Sequence, residues 1–368
     1  MNTPTIEENP FTPTFGEVPA HMAGRTVVLN DLKRALRSTK RHPNLTTILT
    51  GARGTGKTAL LSLVAEEAEQ CGWIAVKTVA LPGMLDDILI SARRAAAHLL
   101  DDSEKARLSG LSIGQFIGAE WEAPSRPTNW RNEMTELLDQ LESKDVGLLI
   151  LVDEVQPKLS EMIELAAVYQ LLIMDNRRVA LLMAGLPHNM LALETDKTVS
   201  FLRRAQKCHL GRIADYDVES AIRKTIEEAG RTIGQDALNL AVRASEGFPF
   251  MMQLVGFRMW DQHPSELEIS LNDARTGIRF AEAELKDRII RITYEGLSAG
   301  DKAFLAAMLA DDETSRVSEI AQRLGKTHSY ATQYKNRLLG QGVIEEAPEG
   351  IRLQLPLMRA YVEEANAR

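Results

Sequence analysis

The chain has 368 residues, which suits two or three domains rather than one continuous core. Its hydrophobic content of 44% and charged content of 26% are typical of a globular protein, and a net charge of −8 excludes a uniformly basic coat for nucleic acid. The two cysteines, Cys71 and Cys208, form neither a metal-binding pattern nor a disulfide framework.

Residues 1–24 read as an irregular, Pro-rich arm. They contain acids and prolines but no apolar segment typical of a signal peptide, and the longest apolar runs of the chain are too short to cross a membrane. We therefore expect a cytoplasmic protein without a membrane partner. The first predicted helix lies near Val28–Ser38.

A short strand that we expect to be buried, Thr46–Thr50, leads into a phosphate-binding loop that fits the pattern Gly, four residues, Gly-Lys-Ser/Thr. The glycines let backbone N–H groups turn around a phosphate chain, and the helix that follows adds partial positive charge. Lys57 can reach the outer phosphates, and the hydroxyl of Thr58 can hold Mg²⁺. The predicted nucleotide-binding residues here are Gly51, Ala52, Arg53, Gly54, Thr55, Gly56, Lys57, Thr58 and Ala59.

The next segment predicts one strand, two helices and a long connection. In chain order these are a strand at Trp73–Val79, a helix through Leu85–Leu100, an insertion or mobile loop at Asp102–Thr128, and a helix from about Asn129 to Ser143. Trp121 and Trp130 lie near the far side of the loop and could dock on a partner, but packing onto the core is the favoured interpretation.

The run Gly147–Val152 reads as a strand buried on both faces, as in a parallel sheet. Asp153 follows at its carboxyl end, where open α/β sheets bind ligands. Asp153 would hold Mg²⁺ through water, and Glu154 would orient or deprotonate the attacking water. The alternative is a solvated strand end, which is less favoured behind a phosphate loop.

A third apolar strand is predicted at Val179–Ala184. Many ATPases of this kind carry a polar residue here that senses the γ-phosphate, but this chain has Ala184 and Gly185. His188 and Asn189 could substitute, or they could form a helix-capping pair.

After Leu210 the strand signal stops, and helices are predicted that would form a lid. Asp217 can cap a helix that ends near Gly230, two more helices extend through Trp260, and a long amphipathic helix covers about Asn272 to Tyr294. The preceding alternation of strands and helices predicts an α/β fold with a parallel sheet and helices on both faces.

The C-terminal segment predicts three helices and a β-hairpin, the order of a winged helix-turn-helix. Ser298 with Asp301 resembles a capping box, and Pro348-Glu349-Gly350 makes the hairpin turn. The third helix would enter the major groove of DNA. Its predicted DNA contacts are Lys326, Ser329, Gln333, Lys335, Asn336 and Arg337.

Two observations bear on that assignment in opposite directions. Between Glu319 and Glu345 there are four basic residues (Arg323, Lys326, Lys335 and Arg337) and no acid, which focuses positive charge on one helix. The acids Glu345, Glu346 and Glu349 argue against phosphate contact by the wing. Winged helices also serve as protein-docking modules or lids, and that alternative stays open.

The phosphate loop, the Asp-Glu strand and the third apolar strand together resemble the AAA+ and STAND branches of P-loop ATPases. The likeness is greatest to the initiator-like, origin-recognition-type ATPase domain fused to a winged helix. More narrowly, Asn9–Pro19 and Ala23-Gly24-Arg25 resemble the N-terminal segment of a group of actinobacterial ATP-binding proteins. The resemblance covers nearly the whole chain.

The resemblance implies further site residues. Phe15, Val18 and Pro19 would form an apolar wall near adenine, closed by Gly24 and Arg25; alternatively, this arm lies on the surface. Gly247-Phe248-Pro249 resembles the Gly-x-Pro element of ATPase lids, which would bring Pro249 to the nucleotide, and it also reads as a turn that starts a helix. The lid arginine of AAA+ proteins has no obvious counterpart.

The segment Ser200–Ala205 resembles the place where AAA+ proteins carry an arginine finger. Arg203 or Arg204 would then stabilise transition-state charge in a neighbouring subunit, which requires self-association. The alternative, a solvated basic face on a helix, is favoured.

The sequence therefore predicts an arm at 1–24, an ATPase domain at 25–212, a helical lid at 213–295 and a winged helix at 296–368. The leading hypothesis is a switch that binds ATP and Mg²⁺, hydrolyses ATP and couples nucleotide state to binding of double-stranded DNA. The second hypothesis is a STAND-type signalling scaffold with a protein partner. A phosphate-loop kinase is a third and least favoured interpretation.

Overall fold

The computed structural model describes residues 8–14, 16–97 and 127–367. The predicted loop Asp102–Thr128 lies outside these residues up to position 126, as do Phe15 and Trp121. Trp130 is buried, and its indole N–H donates to the carbonyl of Leu85 at 2.8 Å, so it packs onto the core as expected.

A five-stranded parallel sheet forms the centre of the N-terminal part, in the order β2-β3-β4-β1-β5. The strands are β1 (Thr46–Thr50), β2 (Trp73–Val79), β3 (Gly147–Asp153), β4 (Val179–Gly185) and β5 (Gln206–His209). Nearly all side chains of β3 and β4 are buried because helices cover both faces. The pairings Thr50 with Gly185 and Val79 with Asp153 bring the phosphate loop and the acidic pair to the same edge.

Six helices flank the sheet in the described residues, namely α1 (Thr26–Leu36), α2 (Lys57–Gln70), α3 (Met84–Ala96), α4 (Pro127–Ser143), α5 (Ser160–Met174) and α6 (Pro187–Thr195). Successive residues of β1 point to opposite faces, so Ile48 packs with the α3–α5 side and Leu49 with the α1–α2 side. The sheet therefore separates two apolar clusters.

The helical segment predicted as a lid, a name kept for it below, consists of α7 (Asp215–Glu228), α8 (Gln235–Ser245), α9 (Pro249–Trp260) and α10 (Leu271–Leu285). Short strands β6 (Thr232–Ile233) and β7 (Glu268–Ile269) pair in parallel between them. A π-helical turn, Lys286–Ile290, continues α10 into α11 (Arg291–Glu295), which makes the long predicted helix. The prediction that Asp217 caps α7 is wrong, because the cap position is Ala214 and Asp217 lies within the first turn.

The C-terminal domain contains α12 (Ala299–Met308), α13 (Val317–Arg323), α14 (His328–Gly340), the antiparallel strands β8 (Ile344–Ala347) and β9 (Gly350–Leu353), and α15 (Met358–Asn366). The predicted capping box is confirmed: Ser298 and Asp301 exchange side-chain and backbone hydrogen bonds at the start of α12. Ser315 forms an isolated antiparallel β-bridge with Ile351 and so pairs with the outer side of β9. The three helices and the hairpin follow one another in the predicted order, and α15 is an addition.

The lid and the C-terminal domain share one apolar cluster, which also includes Phe11 of the arm and Ala52 of the phosphate loop. Because this cluster is continuous, the two parts pack as one unit against the sheet domain. None of the helices that the structure describes is long and apolar enough to cross a membrane.

Candidate nucleotide-binding site

The phosphate loop is closely constrained by its own backbone. Gly54 and Gly56 adopt φ angles of 79° and 85°, which side chains other than glycine rarely tolerate. The ammonium of Lys57 donates to the carbonyls of Gly51 and Ala52 at 2.9 and 2.8 Å. Since an ammonium has three donors, this arrangement leaves one N–H of Lys57 for a phosphate oxygen.

Lys57 is only 7% exposed. Burial lowers the pKa of its ammonium, and the nearby carboxylates of Glu154 and Asp153 partly oppose that shift. A cation that has lost much of its hydration gains strongly from an anionic ligand. The electrostatics of the loop therefore favour a phosphate.

Thr58 and Asp153 face each other at the mouth of the loop. The hydroxyl of Thr58 donates to Oδ2 of Asp153 at 2.5 Å, and Oδ1 of Asp153 accepts the backbone N–H of Glu154 at 2.8 Å. A hydroxyl and a carboxylate are ligands that suit Mg²⁺. In the part of the chain that the structure describes, no group of three or more His, Cys, Asp or Glu residues could hold a metal, so a cation here would also need phosphate oxygens and water.

Glu154 is exposed and adopts a left-handed φ of 50°. Such a conformation is unfavourable for a residue with a side chain and persists only where neighbours enforce it. Two hydrogen bonds fix the next residue: the N–H of Val155 donates to Ala184 at 3.0 Å, and the amide of Asn189 donates to the carbonyl of Val155 at 2.9 Å. The carboxylate of Glu154 is thereby presented to solvent beside Asp153.

His188 and Asn189, the predicted substitutes for a γ-phosphate sensor, are both engaged elsewhere. Asn189 holds the turn after Glu154, and Nδ1 of His188 lies 2.6 Å from the carbonyl of Gly340. The cap position of α6 is Leu186, which has no side-chain cap, so the helix-capping alternative is wrong.

A cavity of about 150 Å³ adjoins the phosphate loop and is lined in part by Thr58, Lys77 and Asp153.

Gly24 and Arg25 lie behind the loop. Arg25 is 7% exposed, and its guanidinium donates to the carbonyls of Gly211 at 2.7 Å and Thr55 at 3.3 Å. Burial lowers the pKa of this guanidinium. Gly24 has a φ of 64°, and a Cβ there would lie 2.7 Å from Ile213. This pair joins the loop to the end of the sheet.

The N-terminal arm lies on the lid. Phe11 is 2% exposed, the amide of Asn9 donates to Phe257 and Asp261 at 3.0 and 2.8 Å, and the N–H of Thr12 donates to Gln253 at 3.0 Å. Val18 and Pro19 are half-buried. The arm is thus anchored along α9 and is not merely a surface segment.

The same arm reaches the mouth of the loop. A Cβ at Gly16 would lie 3.7 Å from the methyl group of Thr58. The arm therefore runs from the lid to the candidate metal position.

The start of α9 abuts the phosphate loop. The N–H of Phe250 donates to the carbonyl of Gly54 at 3.2 Å, and a Cβ at Gly54 would meet the ring of Phe248 at 2.8 Å. Pro249 occupies the first position of α9, and its Cβ lies 3.9 Å from where a Cβ of Gly56 would be. Pro249 therefore starts the helix and also stands beside the loop.

Arg203 and Arg204 lie on a short 3₁₀ helix, Ser200–Arg204, and both are exposed. Nε of Arg203 donates to the carbonyl of Glu194 at 3.1 Å, and the buried carboxylate of Glu194 pairs with Lys207. Arg204 has no hydrogen bond or ion pair with any side chain in the described ranges. Of the two, Arg204 is the one whose charge remains available to a neighbour.

The predicted DNA-contacting face is exposed but less positive than the sequence suggested. The guanidinium of Arg337 donates to Ser298 at 2.5 Å and to the fully buried carboxylate of Asp301. Lys335 pairs with Glu346 at 2.9 Å. These two cations of α14 therefore each have an acidic partner in the fold, which a count of charges along the sequence does not include.

Arg323 on α13 is also compensated, by two hydrogen bonds to Asp311 at 2.5 and 2.6 Å. Lys326 is exposed, with its ammonium 5.8 Å from the centre of the Tyr330 ring. Ser329, Gln333 and Asn336 are exposed as predicted. Of the predicted cationic contacts, Lys326 is therefore the one without an acidic partner in the described residues, and it lies just before the start of α14.

His209, at the end of β5, belongs to no sequence motif and was not predicted as a site residue. Its Nδ1 lies 3.3 Å from the hydroxyl of Thr50, which directly precedes the loop. Burial lowers the pKa of this imidazole, while Glu345 opposes the shift and Arg25 and Lys57 reinforce it. The polar strand β5 thus places a titratable ring next to the phosphate loop.

Residues 21–182 match the protein family described as AAA ATPase domain, and residues 287–362 match a domain of unknown function, DUF8462. The first match covers the phosphate loop and the acidic pair. No curated protein matches the chain.

Solved structures share its fold at low sequence identity. A Walker-type ATPase of Pyrococcus abyssi superposes with a TM-score of 0.64 at 14% identity, covering 93% of this chain and 96% of that one. The Aeropyrum pernix ORC2 protein superposes in its ADP form with a TM-score of 0.54 at 16% identity, covering 96% of each chain. Its complexes with ADPNP and ADP give 0.51 at 14% identity, covering 97% and 98%.

Proposed function

We propose that this protein is a switch that binds and hydrolyses ATP, with the nucleotide held between the sheet domain and the lid. The observation that carries the proposal is the placement of Lys57, Thr58, Asp153 and Glu154 at one edge of the sheet. The ammonium of Lys57 would bind the outer phosphates, and the backbone N–H groups of Gly51–Ala59 would donate to the remaining phosphate oxygens of the nucleotide.

Each polar group then has a distinct role. Thr58 and Asp153 would hold Mg²⁺, which when bound neutralises charge on the phosphate oxygens. The exposed carboxylate of Glu154 would accept a proton from water as the water attacks the γ-phosphorus and the bond to the bridging oxygen breaks. Arg204 would supply charge to a neighbouring subunit if the protein self-associates.

Two substitutions test this assignment. Lys57→Ala is expected to abolish binding of a fluorescent ATP analogue. Glu154→Gln is expected to keep binding and to lower phosphate release by about 10²–10⁴-fold, because only the proton acceptor is lost. Glu349→Gln, an exposed acid elsewhere, is the matched control. Turnover by Glu154→Gln at the wild-type rate would show that Glu154 is not the base.

We further propose that the switch acts on double-stranded DNA through α14. The N-terminal residues of such a helix contact base edges in helix-turn-helix proteins. Here Lys326 lies just before α14, Ser329, Gln333 and Asn336 are exposed along the helix, and its C-terminal end faces the sheet domain.

Lys326→Glu is the cleanest probe, since Lys335 and Arg337 also hold the domain together through ion pairs. It should weaken binding of mixed duplex DNA. The slope of the logarithm of the binding constant against the logarithm of the salt concentration should become shallower by about one, because one phosphate contact is lost. Lys197→Glu makes the same charge change at an exposed lysine outside the C-terminal domain and should leave binding unchanged. Equal losses in both variants would refute a specific role for α14.

The second candidate is a signalling ATPase whose C-terminal domain has a protein partner. The internal ion pairs of Arg337 with Asp301 and Lys335 with Glu346 favour it, because they leave less charge for phosphates. Under this alternative, ATP turnover is indifferent to duplex DNA at low as well as at moderate salt.

A further inference from the structure

The C-terminal domain touches the phosphate loop directly. Gly342, just after α14, has a φ of 69°, and a Cβ there would lie 2.8 Å from Cα of Ala52 and 3.0 Å from its Cβ. Ala52 is 1% exposed and belongs to the apolar cluster of the lid and C-terminal domain, not to either cluster of the sheet. One residue of the loop is therefore buried by the C-terminal domain.

Other contacts hold the same interface together. A Cβ at Gly340 would lie 2.7 Å from Cβ of His188, whose ring also pairs with the Gly340 carbonyl. The guanidinium of Arg212 donates to the carbonyls of Leu353 and Gln354 at 3.1 and 3.4 Å. It also lies 3.5 Å from the carboxylate of Glu345, which is only 11% exposed.

The residue covered by Gly342 is one of the two whose carbonyls position the lysine of the loop. The carbonyl of Ala52 accepts hydrogen bonds from Nζ of Lys57 at 2.8 Å and from the hydroxyl of Thr55 at 2.9 Å. Any displacement of Ala52 would therefore move the acceptor that holds the ammonium ready for phosphate.

We infer that the docked C-terminal domain is a working part of the nucleotide site, with Gly342 as the positioning residue that holds Ala52. Docking and nucleotide binding then strengthen each other, because a loop already held in its binding conformation loses less entropy when the ligand arrives. Linkage requires the reverse effect as well, so bound nucleotide stabilises the docked domain. The inference rests on the proposed nucleotide binding and makes the C-terminal domain its regulator.

Gly342→Ala and Gly325→Ala provide a matched test. Both positions have a left-handed φ in the same domain, but a Cβ at Gly325 meets nothing within 4 Å. We would measure the dissociation constant of a fluorescent ADP analogue on the full chain, together with the radius of gyration by X-ray scattering. Gly342→Ala should bind at least about fivefold more weakly than Gly325→Ala and be more extended.

Arg212→Ala provides the second route to undocking if Gly342→Ala folds poorly. It removes the donors to Leu353 and Gln354 without backbone strain, and it should weaken nucleotide binding in the same direction. Arg279→Ala removes an exposed arginine of the lid and should not.

Three results would overturn the inference. Equal affinities of Gly342→Ala and Gly325→Ala, with Arg212→Ala like wild type, would show that docking does not affect the loop. Tighter binding by Gly342→Ala would show that the domain is a brake instead. A wild-type chain that binds no nucleotide would remove the proposed function itself, and the inference with it.

Discussion

Phe11 packs against Gly256, so the effect of Gly256→Ala on stability should change sign when the Phe11 ring is removed. A Cβ added at Gly256 would have its three nearest neighbours all within the ring of Phe11, each closer than 3.0 Å. Phe11→Ala should destabilise the lid by about 3–5 kcal/mol, because a large buried ring leaves a cavity. Gly256→Ala forces the opposite fault, an overlap that we expect to destabilise by about 1–3 kcal/mol.

The two changes together should not add. Once the ring is absent, a methyl group at Gly256 meets no ring atom, and alanine favours a helix interior over glycine by about 1 kcal/mol. Gly256→Ala should therefore stabilise the Phe11→Ala protein although it destabilises the wild type. The difference between the two backgrounds is the coupling energy of the pair.

Denaturant unfolding followed by tryptophan fluorescence measures all four proteins, since Trp260 is buried at the end of α9. Hydrogen exchange of α9 and residues 9–12 shows whether the loss is confined to the arm and its contact helix. If Gly256→Ala destabilises both backgrounds equally, the arm is not seated on the lid as described.

Three further predictions concern the loop and the C-terminal domain. Without nucleotide, Gly56→Ala should lower the free energy of unfolding by about 1–2 kcal/mol through backbone strain. Gly54→Ala should lower it by about 1–3 kcal/mol more, because its methyl group also meets the lid. Thermal or denaturant unfolding measures both changes. Arg337→Ala should destabilise the C-terminal domain by about 1–3 kcal/mol in the absence of DNA, since Asp301 is left buried without its cation; a purely DNA-contacting arginine would show no such loss. The pKa of His209 is lowered in the folded state, which therefore binds fewer protons than the unfolded state. Stability should fall as the pH drops below about 6.5, and this dependence should be weaker in His209→Gln when unfolding is compared at about pH 7.5 and about pH 5.5.

The central sheet and the phosphate loop could be predicted from the sequence, because a single physical requirement determines the residue pattern of each. Strand β3 is an apolar run between a glycine and an aspartate, and β1 carries Ile48 and Leu49 between threonines; both patterns are typical of short strands buried in a parallel sheet. The loop pattern requires glycines at the turns and a lysine at a fixed distance, so its place before α2 follows from the sequence.

Elements at the margins gave weaker signals. Strand β5 was not predicted because Gln206, Lys207 and His209 are exposed at the edge of the sheet and show no apolar alternation. Helix α15 was missed because it follows the hairpin, where the predicted fold was already complete. Its position depends on packing against α12, which a local pattern does not reveal.

The charge of α14 shows the limit of counting along the chain. The window from Glu319 to Glu345 contains no acid between its ends, but Asp301, Asp311 and Glu346 lie just outside it and fold back onto its basic residues. The contact between Gly342 and Ala52 was equally hidden, since it joins residues far apart in sequence that have no side-chain chemistry of their own.

The chain passes between the sheet domain and the lid at two places, and these lie side by side. One is Gly24-Arg25, where the arm meets α1, and the other is Gly211–Ile213, where β5 gives way to α7; Gly24 packs against Ile213, and Arg25 donates to Gly211. Since the arm, lid and C-terminal domain share one core, these crossings would act as a single pivot if that combined body moved relative to the sheet domain. Movement of that combined body would be a swing about one point, and the far end of α14 would travel much farther than the atoms at the phosphate loop.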